Sequence, residues 1–132
     1  MRTGRPSVLL VDDEPRLRAQ LRAVLDDYEI EVVGEAATGR EAVELAGRLR
    51  PQVVLMDLRM PELDGIAATR LLLASQPSTA VIILSAYDDP ALRNEARQAG
   101  AHGYLVKGCR VGELVEAVAG AASRLAAGRV HG

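Results

Sequence analysis

The chain has 132 residues, of which 48% are hydrophobic, 26% charged and 2% aromatic, and its formal net charge is -2. That length suits one domain with a core of Val, Leu, Ile and Ala, and that charge argues against a grip on nucleic acid through overall electrostatics. The single cysteine, Cys109, excludes an internal disulfide and a multi-cysteine metal site; no apolar run approaches the about 18 residues of a membrane span, and Asp12 cuts the first one too short for a signal peptide, so the expected compartment is the cytoplasm.

Residues 1–6 read as a flexible N-terminus. SVLLVD at 7–12 is a short continuous apolar run, the pattern of a strand buried on both faces of a parallel sheet. A helix is expected to begin near Pro15 and to carry Leu17, Leu21, Val24, Leu25 and Tyr28 on one face. EVVGEA at 31–36 is the second strand. Thr38 with Glu41 three residues later forms a capping box, opening a helix with Val43, Ala46 and Leu49 that Pro51 stops. VVLMDL at 53–58 is the third strand, and a helix over 64–75 ends at Gln76-Pro77. AVIILS at 80–85 is the fourth. The helix after it starts at Asp89-Pro90, turns Leu92, Ala96 and Ala99 inward and closes at Gly100. GYLVK at 103–107 is the fifth strand, and the last helix carries Val111, Leu114, Val115, Val118, Ala122 and Leu125 as a long apolar stripe. Residues 128–132 read as a tail or the start of a linker.

Strand and helix alternate throughout, which calls for right-handed βαβ units and a parallel sheet covered on both faces. The expected fold is α/β: a flavodoxin-like, doubly wound, five-stranded parallel sheet of order 2-1-3-4-5 with five helices, rather than a closed barrel of about eight strands. In such sheets ligands bind outside the carboxyl ends of the strands. The residues expected there are Asp12 and Asp13 after the first strand, Asp57 after the third, Ser85 after the fourth and Lys107 after the fifth.

The first and third strands are neighbours in that order, so Asp12, Asp13 and Asp57 should converge. Carboxylates that close repel by roughly 4 kcal/mol per pair at about 4 Å for an effective dielectric constant near 20, which calls for a cation. Oxygen donors and room for water favour Mg²⁺, and Lys107 supplies a second positive charge. A carboxylate, a divalent cation, a lysine and a hydroxyl together suit phosphoryl transfer, with Asp57 as the best placed nucleophile. Taken singly, each of these residues has a plainer reading as a helix cap, a turn residue or a solvated charge.

Four motifs in order, VDDE at 11–14, DLRMPELDG at 57–65, LSAYDD at 84–89 and GYLVK at 103–107, give the chain its resemblance to the receiver domain of bacterial two-component response regulators, over roughly residues 7–127. The resemblance implies that Asp57 is the phosphoacceptor for a sensor histidine kinase or phosphotransfer protein. It implies Mg²⁺ held by Asp13, Asp57 and the backbone carbonyl of Arg59, with Asp12 acting through a water. Lys107 would pair with the phosphoryl oxygens, Ser85 would hydrogen-bond them, and Tyr104 would be the aromatic switch that turns inward as Ser85 moves. Met60, Pro61, Asp64 and Gly65 would shape the loop after the acceptor, Gly65 by conformational freedom. The fourth helix, fifth strand and fifth helix would form the switching surface and a candidate homodimer face. Gly108, where many relatives have proline, resembles receivers that precede LuxR/NarL-type output domains, so DNA would be reached only through a domain absent from this chain. Arg59 and Tyr87 occupy the positions that tune water access to the acyl phosphate in that family, and their bulk is expected to slow its hydrolysis.

The main rival is a Mg²⁺-dependent aspartyl phosphohydrolase of haloacid dehalogenase type; those enzymes carry D-x-D, and here Arg59 stands in the second Asp's place. A receiver-like module that only binds is disfavoured by the complete acidic set. GEAATGRE at 34–41 superficially resembles a phosphate-binding loop, but Arg40 and Glu41 stand where Lys and Ser/Thr are needed, and the stretch reads as a capping turn. Cys109, His102 and His131 make no metal site.

Overall fold

The computed structural model describes residues 4–131, with side chains through residue 124. The first half of the expected N-terminal arm and the side chains of Leu125 and His131 lie outside the described residues. Strands β1 (Ser7–Val11), β2 (Glu31–Ala36), β3 (Val53–Met56), β4 (Ala80–Ser85) and β5 (Gly103–Val106) alternate with helices α1 (Pro15–Asp27), α2 (Gly39–Leu49), α3 (Gly65–Ser75), α4 (Pro90–Gln98) and α5 (Val111–His131). All strand pairs are parallel and the order is β2-β1-β3-β4-β5, the flavodoxin-like arrangement expected from the alternation.

Period-2 alternation divides the strand side chains between two cores. Leu9, Val11, Val54, Met56, Val81 and Ile83 face α2, α3 and α4. Val8, Leu10, Val53, Leu55, Ala80 and Ile82 face α1 and α5. Most of these aliphatics are fully buried, each contributing about 1.5–3 kcal/mol where the side chain is large. That double-sided burial is why β1, β3 and β4 read as continuous apolar runs. The edge strand β2 is only partly buried.

Local signals set the helix ends. The Thr38 hydroxyl accepts from the Glu41 N–H, while a Glu41 carboxylate oxygen accepts from the Ala37 N–H, one residue before the N-cap N–H that a capping box engages. Asp64 and Asp89 cap α3 and α4 through the N–H groups of Ala67 and Ala91.

Several details depart from expectation. Asp12, Asp57 and Lys107 lie just beyond their strands rather than in them. Tyr28 and Val111, expected on apolar helix faces, are 53% and 41% exposed: Tyr28 is the cap after α1 and Val111 the first residue of α5. Helix α5 continues through His131, so its backbone crosses residue 127, where the domain was expected to end. Gly65 is not a flexible position. A Cβ there would come within 2.1 Å of the Asp57 carbonyl oxygen, so it is a close approach of backbone to backbone that demands glycine. No helix among the described residues is long and apolar enough to cross a membrane.

Candidate functional site

Register brings the acids together. Val11 pairs with Met56, the last residues of β1 and β3, so Asp12 and Asp57 leave the sheet at the same level, while β4 runs two residues past Ile83, the partner of Met56, to Ser85. The ladder continues one step past the strands: the Asp57 N–H donates to the Val11 carbonyl at 2.9 Å, and the Asp12 N–H to the Ala36 carbonyl at 3.0 Å. Asp12 and Asp57 are buried, Asp13 is exposed, and one carboxylate oxygen from each lies within 4.8 Å of the others.

Lys107 closes the cluster from β5. Its Nζ lies 2.8 Å from Asp12 Oδ2 and 3.2 Å from Asp57 Oδ1. The Lys107 N–H donates to the Ser85 carbonyl, which fixes where the side chain sets out. Burial, followed by the Asp12 charge, pushes the Asp57 carboxyl above its ordinary range, against the pull of Lys107 and the Leu58 N–H. Burial alone would lower the Lys107 ammonium, but its bonds and attraction to Asp12 and Asp57 outweigh that and hold it above its usual value.

When ionised, three carboxylates against one ammonium leave two net negative charges in this crevice. An all-oxygen donor set with that residual charge fits a hard divalent cation such as Mg²⁺. Among the described residues, no comparable cluster includes His102 or Cys109. The His102 Nδ1 accepts from the Val81 N–H, and burial together with the Arg124 charge lowers its proton affinity; burial raises the Cys109 thiol.

Ser85 ends β4 and Tyr104 lies in β5, one and two strands over from the strand that leads to Asp57. Ser85 is 1% exposed and its Oγ accepts from the Tyr87 N–H at 3.0 Å, leaving its own proton free to be donated. The Tyr104 ring is already partly buried against the core in this structure, and its hydroxyl donates to the Tyr87 carbonyl at 2.6 Å. Gly108 takes φ +91°, a left-handed backbone that proline, locked near about −65°, could not adopt.

Five side chains escaped the sequence reading as contacts. Arg18 donates to the Asp12 carbonyl and is itself held by Glu35, 2.9 Å away, which also pairs with Arg22 at 2.8 Å. Burial raises the Glu35 carboxyl, but the two guanidiniums together hold it below its usual range. Arg93 lies over the Tyr104 ring, 4.7 Å from its centroid. Arg59, expected to act through its carbonyl and its bulk, stacks its guanidinium on the Tyr87 ring, also at 4.7 Å. These partners come from different elements at no regular spacing, so they leave no periodic signal to find.

Comparison with known proteins decides the family. The description "Response regulator receiver domain" matches residues 8–119. The chain belongs to the response regulator receiver family. Among its relatives, the response regulator GacA of Pseudomonas aeruginosa is 41% identical over 112 residues, covering 84% of this chain and 52% of GacA. The chemotaxis protein CheY of Thermotoga maritima is 40% identical over 111 residues, 84% of this chain and 92% of CheY. The solved receiver domain of the response regulator NarL from Mycobacterium tuberculosis superposes with a TM-score of 0.84 at 37% identity, covering 90% of this chain and 97% of that one. This receiver thus spans about half the length of GacA and nearly all of CheY.

Proposed function

We propose that this receiver accepts a phosphoryl group on Asp57 from the phosphohistidine of a sensor kinase or phosphotransfer protein. The observation that carries the reading is the Asp57 carboxylate itself: buried, beside Asp12 and Asp13, and bonded to Lys107 at 3.2 Å. An Asp57 oxygen attacks phosphorus, the P–N bond breaks, and the electron pair leaves with the imidazole, which takes up a proton. Burial favours the attack, since a carboxylate stripped of solvent binds electrophiles, like protons, more strongly. Lys107 needs to move little to neutralise the incoming phosphoryl oxygens. Asp12, Asp13 and Asp57, with the Arg59 carbonyl, would hold Mg²⁺, which when bound offsets the charge on those oxygens.

The product is a dianionic group in a crevice that had none. The Ser85 hydroxyl, turned from Tyr87 toward that group, donates to it. The Tyr87 segment is thereby released, and Tyr104, bonded to the same segment, carries the change to α4, β5 and α5. That face, with its groove lined by Pro90, Arg93, Asn94, Arg97, Ala101 and Tyr104, serves as the output surface and the candidate homodimer face. The name of one relative, the transcriptional regulatory protein PdtaR of Mycobacterium tuberculosis, 41% identical over 117 residues, supports a cytoplasmic role in the control of transcription, with DNA reached through an output domain.

Incubation with Mg²⁺ and acetyl phosphate followed by intact mass measurement tests the assignment. One phosphoryl adduct is expected, lost in Asp57→Ala. An adduct that survives Asp57→Ala, or steady turnover of small phosphate esters with no adduct, would overturn it.

A further inference from the structure

Every polar atom of the buried Asp12 is held. Its N–H donates to the Ala36 carbonyl at 3.0 Å, its Oδ1 accepts from the Glu14 N–H at 2.9 Å, and its Oδ2 faces the Lys107 ammonium at 2.8 Å. The remaining atom, its carbonyl oxygen, accepts from Arg18 Nη1. Arg18 works there as a fork, because its Nε donates to Glu35 at 2.9 Å. Glu35 stands beside Leu10 in the β1–β2 register, and its other oxygen is gripped by Arg22 at 2.8 Å. Both guanidiniums come from successive turns of α1, so α1 and the edge strand β2 together fasten the Asp12 backbone. The turn has need of this hold. Glu14, at the N-cap of α1, makes no side-chain cap bond, so residues 12–14 lack the usual anchor of a helix start. A peptide unit is planar, so fixing the Asp12 carbonyl also fixes the Asp13 N–H and Cα, and with them the point from which the exposed Asp13 side chain sets out.

We propose that Arg18 is a positioning residue for the divalent cation: held by Glu35, it orients the Asp12–Asp13 peptide so that the Asp13 carboxylate meets those of Asp12 and Asp57. The inference rests on those three acids being the cation site. Arg18 spends its bonds on the Asp12 backbone and on Glu35, which leaves the gathered carboxylates to the ion. Its two effects on a cation oppose each other. The guanidinium charge, bonded to Asp12, repels a second cation nearby. The grip on the peptide plane pre-orders a ligand, and groups that hold metal ligands in place are commonly worth about tenfold or more in affinity. Glu35 and Arg22 tip the balance, since Glu35 offsets the Arg18 charge and Arg22 keeps Glu35 where Arg18 needs it. The two effects differ in sign, and that makes them separable. If charge dominated, removing Arg18 would tighten cation binding; as a clamp, its removal weakens it.

Amide chemical shifts of the whole chain, followed as Mg²⁺ is added, give the dissociation constant for wild type, Arg18→Met, Arg22→Met and the double variant Arg18→Met/Arg22→Met. Arg18→Met keeps an apolar stem and loses both donors, and should weaken Mg²⁺ binding about tenfold. Arg22→Met, at a half-exposed position, should weaken it about twofold by loosening Glu35. In the Arg18→Met background, where the clamp is already gone, Arg22→Met should weaken binding no further. The same spectra show that each variant is folded, and Arg22→Met carries the test should Arg18→Met not fold. Binding as tight as wild type, or tighter, in either single variant overturns the clamp while leaving the cation site intact, as does an equal loss from Arg22→Met with and without Arg18. A wild type whose shifts around Asp12, Asp13 and Asp57 ignore Mg²⁺ overturns both.

Discussion

The acids at the ends of β1 and β3, with Lys107 from the end of β5, sit in a frame of ladder hydrogen bonds, burial and ion pairs; the Ser85 and Tyr104 side chains on β4 and β5 each hang on one hydrogen bond to the exposed Tyr87 segment. The Asp57 N–H is tied to Val11, its carbonyl abuts Gly65, and its Oδ1 is bonded to the Leu58 N–H and faces Lys107. Ser85, by contrast, is bonded to one N–H two residues on, and Tyr104 to one carbonyl in an exposed segment. On the proposed function, the difference lets one site both hold chemistry still and report on it: the acceptor half is framed in advance, and the reporting half is held by few bonds.

That contrast can be broken by mutation. The largest effect should come from Gly65→Ala, whose Cβ would drive into the Asp57 carbonyl. We expect a loss of about 3 kcal/mol by denaturant unfolding, since backbone cannot step aside as a side chain can. Lys107→Met should cost about 2 kcal/mol without divalent cation, because it leaves Asp12 and Asp57 facing each other uncompensated, and added Mg²⁺ should restore much of it.

Asp57→Asn should act in the opposite direction, adding roughly 1 kcal/mol at neutral pH without Mg²⁺. The sign follows from the raised Asp57 carboxyl, whose folded form holds its proton more tightly than the unfolded chain. Ionising it therefore costs stability as pH rises from the unfolded value of 3.8 through the folded one. The advantage of Asn should open across that window, persist above it and vanish at lower pH, which paired unfolding curves would show. Tyr104→Phe should have the smallest effect on stability, about 0.5 kcal/mol, since its bond lies in an exposed segment. A loss as large as that of Lys107→Met would erase the contrast.

The same division governs what could be read from sequence. Continuous apolar runs placed β1, β3 and β4, capping signals placed the starts of α2 and α4, and the rule that ligands lie beyond strand ends then brought Asp12, Asp13, Asp57, Ser85 and Lys107 to one edge. Those signals are local or periodic, and the fold converts them directly into position. The bracing and stacking contacts were not legible. Arg18 on Asp12, Arg59 on Tyr87 and Arg93 on Tyr104 depend on where flexible side chains from different elements meet, and no spacing records that. The role of Gly65 was misread for a related reason: sequence shows that a glycine is present, while only the fold shows that a carbonyl occupies the place of its Cβ.

Amide hydrogen exchange with and without Mg²⁺ and beryllofluoride, a stable mimic of a phosphoryl group on carboxylate, tests the two-halves account most directly. The account predicts changes concentrated in residues 85–89 and 103–108 and along α4, with residues 8–12 and 53–57 as protected before as after. Changes centred on the β1 and β3 ends, with the Ser85 and Tyr104 segments unmoved, would contradict it.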